Sequence, residues 1–148
     1  MTHPSPLQAV YIKDKNSGLV LDYKPDATYE VVIGNKTSST TQKWLLADSG
    51  VAGYLYLQNM YDNNVITAGD AAADHLIVRP KKEGLDLGQL WILRAPNNET
   101  NPHFVLMSAK TGLVMDVAGF GMAPGTKVTV YSRNNTDNQQ FAFHQWMH

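Results

Sequence analysis

Two short features recur along this chain on one shared period, and that recurrence narrows the folds open to it. The run Ser17-Gly18-Leu19-Val20-Leu21-Asp22 has a close twin in Thr111-Gly112-Leu113-Val114-Met115-Asp116. A weaker copy, Asn63-Asn64-Val65-Ile66-Thr67-Ala68, lies between them, so the copies stand 46 and 48 residues apart. In step with these runs come Gln42-Lys43-Trp44, Gln89-Leu90-Trp91 and Gln139-Gln140-Phe141, at intervals of 47 and 50. Two independent features on one period divide a single domain, 1–148, into three units of about 11–47, 53–95 and 103–146.

Within each unit the pattern is that of strands. Short β-branched and aromatic runs such as Leu76-Ile77-Val78 and Lys127-Val128-Thr129-Val130-Tyr131 are separated by Gly, Asn, Asp and Ser clusters, the mark of an all-β chain. Alternation puts Leu113, Met115 and Val117 on one strand face and Val114 and Asp116 on the other. Further on, Val128 and Val130 point inward, with Thr129 and Tyr131 outward. A unit of about four short strands cannot bury its apolar face alone. Three must close around a common core, which predicts a barrel with pseudo-threefold symmetry. Trp44, Trp91 and Phe141 hold equivalent positions and are expected to anchor that core, since large aromatics dominate core burial.

Composition excludes several classes of function. With no cysteine there is no disulfide framework and no thiolate metal site. Twelve basic and thirteen acidic residues leave no basic stripe for a nucleic acid. No apolar run is long enough for membrane insertion as a helix. Met1 to Leu7 lacks the charged-then-apolar order of a secretory signal, so the expected location is the cytoplasm, or outside the cell by a route without a signal peptide. The sequons at Asn35, Asn98 and Asn134 are accordingly expected to be unmodified.

A chain of three units, each with a Gln-x-aromatic element, resembles the ricin-B lectin family, in its cysteine-free, fungal-type form. The likeness covers nearly the whole length and is sharpest from Gly125-Thr126-Lys127-Val128 through Tyr131 and Asn134 to Asn138-Gln139-Gln140-Phe141. Phe141 departs from the usual Trp, a change that concerns the core. The resemblance implies a β-trefoil that binds glycans or glycoproteins carrying terminal galactose or N-acetylgalactosamine, an agglutinin without a cofactor or a catalytic role.

Carried over residue by residue, the resemblance places a third-unit site at Asp116, Tyr131, Asn134, Asn138 and Gln139. The chemistry suits a sugar. An aromatic ring covers the C–H face of a pyranose, a carboxylate accepts from neighbouring hydroxyls, and an Asn amide both donates and accepts. Galactose, with its axial 4-hydroxyl, offers such a ring a continuous apolar face. Gln139 has a second reading, as a tie between the loop and its neighbouring backbone. The first unit keeps Asp22 and Gln42 but has Gly34 at the platform and Thr37 and Thr41 for the two asparagines. Asn35 and Lys36 are its candidate polar contacts, with Tyr23 or Tyr29 as a substitute ring. In the second unit Ala68 stands at the aspartate position, Arg79 at the platform and Gly88 before Gln89, with Asp70, His75 and Asp86 nearby.

Two other classes compete. For an enzyme, no nucleophile elbow, phosphate loop or zinc-protease motif occurs. His144 and His148 share an i, i+4 spacing, but in a strand-rich region, and no metal site is expected there. The second rival is a protein-binding trefoil such as a protease inhibitor, which the intact third-unit motif disfavours. A shallow single site binds weakly, so useful binding to cell surfaces calls for several sites on one particle, from further live units or a homodimer.

Overall fold

The computed structural model describes residues 9–25, 27–96 and 102–145. The Met1–Leu7 segment, Asn98, Trp146 at the end of the third unit and His148 lie outside the described residues. Among the described residues twelve strands follow one another, four to a repeat: β1 (Ala9–Asp14), β2 (Val20–Tyr23), β3 (Val31–Gly34) and β4 (Trp44–Asp48); β5 (Leu55–Asn59), β6 (Val65–Thr67), β7 (Ile77–Arg79) and β8 (Trp91–Arg94); β9 (Val105–Ser108), β10 (Val114–Val117), β11 (Val128–Tyr131) and β12 (Phe141–Gln145).

Pairing runs β1–β4–β5–β8–β9, and β12 returns to β1. The Phe104–Phe141 bridge joins the start of the third repeat to β12 and closes a six-stranded barrel. The remaining strands form hairpins β2–β3, β6–β7 and β10–β11. Bridges Glu30–Ile77, Val32–Lys127 and His75–Thr129 tie the three hairpins to one another. A closed barrel capped by three hairpins in threefold array is a β-trefoil, and closure leaves the barrel no free edge.

The core follows from the alternation. Met115, Val117, Val128 and Val130 enter the central cluster, as do Leu21, Ile33, Ile66 and Val78 from the other hairpins. Trp44, Trp91 and Phe141 are fully buried in it. The Trp44 indole Nε1 donates to the Leu21 carbonyl at 3.2 Å, and Trp91 Nε1 does the same to Ile66 at 3.1 Å.

These bonds correct the reading of the second repeat by one residue. Leu21 and Ile66 are equivalent, so Asp22 matches Thr67, not Ala68. The turn between the first two strands of each repeat gives the reason. Gly18, Asn63 and Gly112 each close it, donating N–H to Asp14, Asn59 and Ser108 at 2.8–2.9 Å. All three have φ between 64° and 76°. Asn tolerates that left-handed conformation, so Asn63, rather than Asn64, takes the place of the glycine.

One contact joins all three repeats. Glu30 accepts from Lys127 Nζ at 2.6 Å through one oxygen and meets His75 Nδ1 at 2.6 Å through the other. The Lys127 ammonium, helped by His75, holds the Glu30 carboxyl down at about 2.

Candidate functional site

β10 and β11 build the site. Asp116 faces Thr129 across the pair, and Val114 faces Tyr131. Alternation therefore sets Asp116, Thr129 and Tyr131 on one face, away from the core. They line a cavity of about 420 Å³ with Asn134 and Asn138. Tyr131 is 47% exposed, so its ring is open to a ligand, whereas Asp116 is 7% exposed and forms part of the floor.

The loop after β11 holds that carboxylate in place. Gln139 Nε2 donates to Asp116 Oδ2 at 2.9 Å and to the Ser132 carbonyl at 2.9 Å, and its Oε1 accepts from Asn134 N at 2.9 Å. Asn138 Nδ2 donates to Asp116 Oδ1 at 3.2 Å and to the Val117 carbonyl at 3.0 Å. Each Asp116 oxygen thus has one internal partner and keeps acceptor capacity for a ligand. Burial pushes the Asp116 carboxyl above the ordinary aspartate range; the Gln139 amide opposes this and the charge of Asp14 adds to it.

Of the five residues expected here, four line the cavity. Gln139 does not. It is fully buried, and its amide is spent on Asp116 and the loop backbone, so it positions the carboxylate. Asn134 ties its Oδ1 to Thr136. Its Nδ2 has no acceptor among the described residues, which leaves a donor at the cavity.

Sequence reasoning missed two walls of this cavity. Ala73 and His75 reach it from the second repeat, and Ala118, Gly119 and Phe120 from the loop after β10. Ala73 and Phe120 have φ of 70° and 57°, a conformation uncommon for residues other than glycine. The Phe120 carbonyl is held by Asn16 Nδ2 at 3.2 Å. The isolated bridge between His75 and Thr129 has no local sequence signal.

The first repeat keeps the frame and loses the platform. Gln42 bonds Asp22 Oδ2 at 3.2 Å, the Asn35 carbonyl and Thr37 N, as Gln139 does its own partners. Gly34 occupies the place of Tyr131. Neither substitute contact comes from Tyr23 or Lys36. Tyr23 is buried in the core with its hydroxyl on Asp62. Lys36 lies over the Tyr11 ring, 4.4 Å from its centroid, in a cavity that Asp22 does not line. Its ammonium is drawn to that ring face rather than to the Asp22 carboxylate.

In the second repeat Gln89 Nε2 reaches Thr67 Oγ1 at 3.3 Å and the Pro80 carbonyl at 2.9 Å. A hydroxyl here replaces the carboxylate, and Arg79 stands at the platform. Asp86 caps the short turn before Gln89 by accepting from Gly88 N, and Asp70 pairs with Lys110. No group of three or more His, Asp or Glu among the described residues is placed to hold a metal ion.

The family model described as a ricin-type β-trefoil lectin domain-like fold matches residues 87–146, which take in the whole third-repeat site. No curated protein sequence matches the chain. Among solved structures, the designed threefold-symmetric protein ThreeFoil is 21% identical, with 93% of this chain and 99% of that one covered and a TM-score of 0.83. A ricin B-like lectin of Macrolepiota procera, solved in complex with lactose, is 18% identical over 98% of this chain and 100% of its own, with a TM-score of 0.80. An exo-β-1,3-galactanase from Clostridium thermocellum is 20% identical over 98% of this chain, with a TM-score of 0.85, but the match takes in only 31% of that enzyme.

Proposed function

We propose, from a chain that folds as a ricin-type β-trefoil and whose residues 87–146 match that lectin family, that it is a non-catalytic carbohydrate-binding lectin. Its principal site is the third repeat, and its ligand is terminal galactose or N-acetylgalactosamine. The observation that carries this reading is the pairing of an open Tyr131 ring with a buried, pre-positioned Asp116 carboxylate on one face of one hairpin.

A ring on one side and a charged acceptor on the other match the two faces of a pyranose. Charge-assisted bonds contribute roughly 1.5–3 kcal/mol each, against about 1 for a neutral pair. The lactose carried by the Macrolepiota procera lectin supports the same sugar class. The non-catalytic reading has its own support. Glycoside hydrolysis needs two facing carboxyl groups, and Asp116 is the single carboxylate lining the cavity among the described residues.

On a glycan array the protein is expected to prefer terminal galactose and N-acetylgalactosamine over mannose, glucose and sialic acid. A mannose-only or flat profile overturns the assignment. The platform has a separate test. Tyr131→Phe keeps the ring and most of the affinity. Tyr131→Ala removes the ring and the apolar contact that it makes, at about 25 cal/mol per Å² of buried area, and should lose considerably more. Titration calorimetry with a simple galactoside, beside a melting curve, separates the two variants. Because Tyr131 faces away from the core, both should melt close to the unaltered protein. A Tyr131→Ala protein that binds normally and melts early places the ring in the core.

A further inference from the structure

A second concavity lies on the barrel wall, lined by residues of β1, β2 and β12. β1 and β12 run antiparallel along it, pairing Tyr11 with His144 and Lys13 with Ala142. Its volume is about 520 Å³, and Lys13, Lys36 and His144 stand around an inner surface that includes Val20 and Phe143. A neighbouring hollow of about 450 Å³ shares Lys13, Phe143 and His144 and adds Lys15 and His103. The two form one trough, with three lysines and two histidines along it. In a chain with net charge −1, the three lysines carry the positive charge of the trough.

Lys13 and Lys36 make no ion pair among the described residues, whereas Lys15 pairs with Asp137 at 3.3 Å. Buried Asp14 also borders the second hollow, but it accepts from the Ser17 hydroxyl and the backbone of the β1–β2 turn. The field of the lysines is felt inside the trough. Burial first, then Lys13 and Lys36, holds His144 below the ordinary histidine range. Burial and then Lys15 do the same to His103.

We infer that this trough is a second saccharide site, selective for sugars bearing sulfate or carboxylate groups and independent of the Asp116 site. The cations supply charge-assisted bonds to oxyanions, and the half-buried Phe143 gives a sugar ring one apolar contact. A single-stranded nucleic acid fits less well, because such strands need flat rings on which bases stack. Tyr11 is 3% exposed with Lys36 over its face, and Phe143 is half-buried and tilted against Phe104, with ring centroids 5.3 Å apart.

The test is fluorescence anisotropy with a labelled heparin hexasaccharide at low and physiological salt. Binding is expected, weakening as salt rises because surface charges are screened. The double variant Lys13→Ala, Lys36→Ala should lose tenfold or more in affinity, while Lys13→Arg, Lys36→Arg keeps most of it. Asp116→Ala should bind the hexasaccharide as the unaltered protein does, so a failure of the galactose assignment leaves this result standing. No binding at low salt, equal binding by the double alanine variant, or loss in Asp116→Ala each overturns the inference. Equal affinity for single-stranded DNA of matched charge overturns the choice of saccharide.

Discussion

Trp91→Ala is expected to destabilise the protein by about 3–5 kcal/mol, the range for truncating a core aromatic. The ring is fully buried in the central cluster, and its indole nitrogen satisfies the Ile66 carbonyl at 3.1 Å. Truncation leaves a cavity and a buried carbonyl without that donor, which adds to the cost. For a domain of this size each kcal/mol moves the melting temperature by roughly 2–4 °C, so the loss reads as about 6–20 °C. Trp91→Phe should cost far less, because Phe141 fills the equivalent place in the third repeat. Differential scanning calorimetry on the two variants checks this. A melting point within 2 °C or so of the parent for Trp91→Ala would remove Trp91 from the anchors of the core.

Asp116→Ala is expected to cost the third-repeat site roughly 1.5–3 kcal/mol of ligand binding, about 10- to 150-fold in affinity. The fold should survive. Asn138 keeps the Val117 carbonyl as an acceptor, and Gln139 keeps that of Ser132. Asp22→Ala should matter less, because Gly34 gives its repeat no ring. Calorimetric titration with a galactoside gives affinity and stoichiometry together, and an unchanged Asp116→Ala isotherm refutes the site.

The pH profile follows from the same group. In the proposed site sugar hydroxyls donate to the ionised carboxylate, so affinity is expected above the Asp116 pKa and should be lost as pH falls through it. Burial raises that pKa, so the loss begins at a higher pH than for an ordinary aspartate. Stability runs the other way for this group. With the folded-state pKa above the unfolded one, the folded state binds the proton more tightly, and its contribution to stability falls as pH rises through that window. Asp116→Asn should remove both trends.

What was legible in the sequence was whatever repeats locally. The three units, the anchors Trp44, Trp91 and Phe141, and the strand faces of β10 and β11 are short-range patterns, and the structure has them. The second repeat slipped by one residue because Asn63 does in its turn what Gly18 and Gly112 do in theirs, and a match of residue types alone put Asn64 there. The burial of Gln139 was open in the sequence, since the same amide serves a ligand or a carboxylate. His75 is legible only as a neighbour of the second-unit site and Ala73 not at all, because a contact between repeats leaves no mark on either segment. Lys36 was misplaced for a related reason: the Tyr11 ring that draws it lies on another strand.

The contact of Glu30 with His75 and Lys127 bears on how such a chain is assembled from duplicated parts. Each partner comes from a different repeat, so no single unit, and no trimer of identical units, contains this trio by symmetry. It has a handed order around the barrel axis. A circularly permuted chain, cut in an exposed loop between repeats, keeps that order and every partner. The three side chains hold one equivalent position, four residues before Gly34, Arg79 and Tyr131, so a chain with two repeats exchanged still brings a Glu, a His and a Lys together and only reverses their order. The trio therefore requires three different repeats and not one fixed order of them: what it rules out is three identical units, which would set three like side chains against one another.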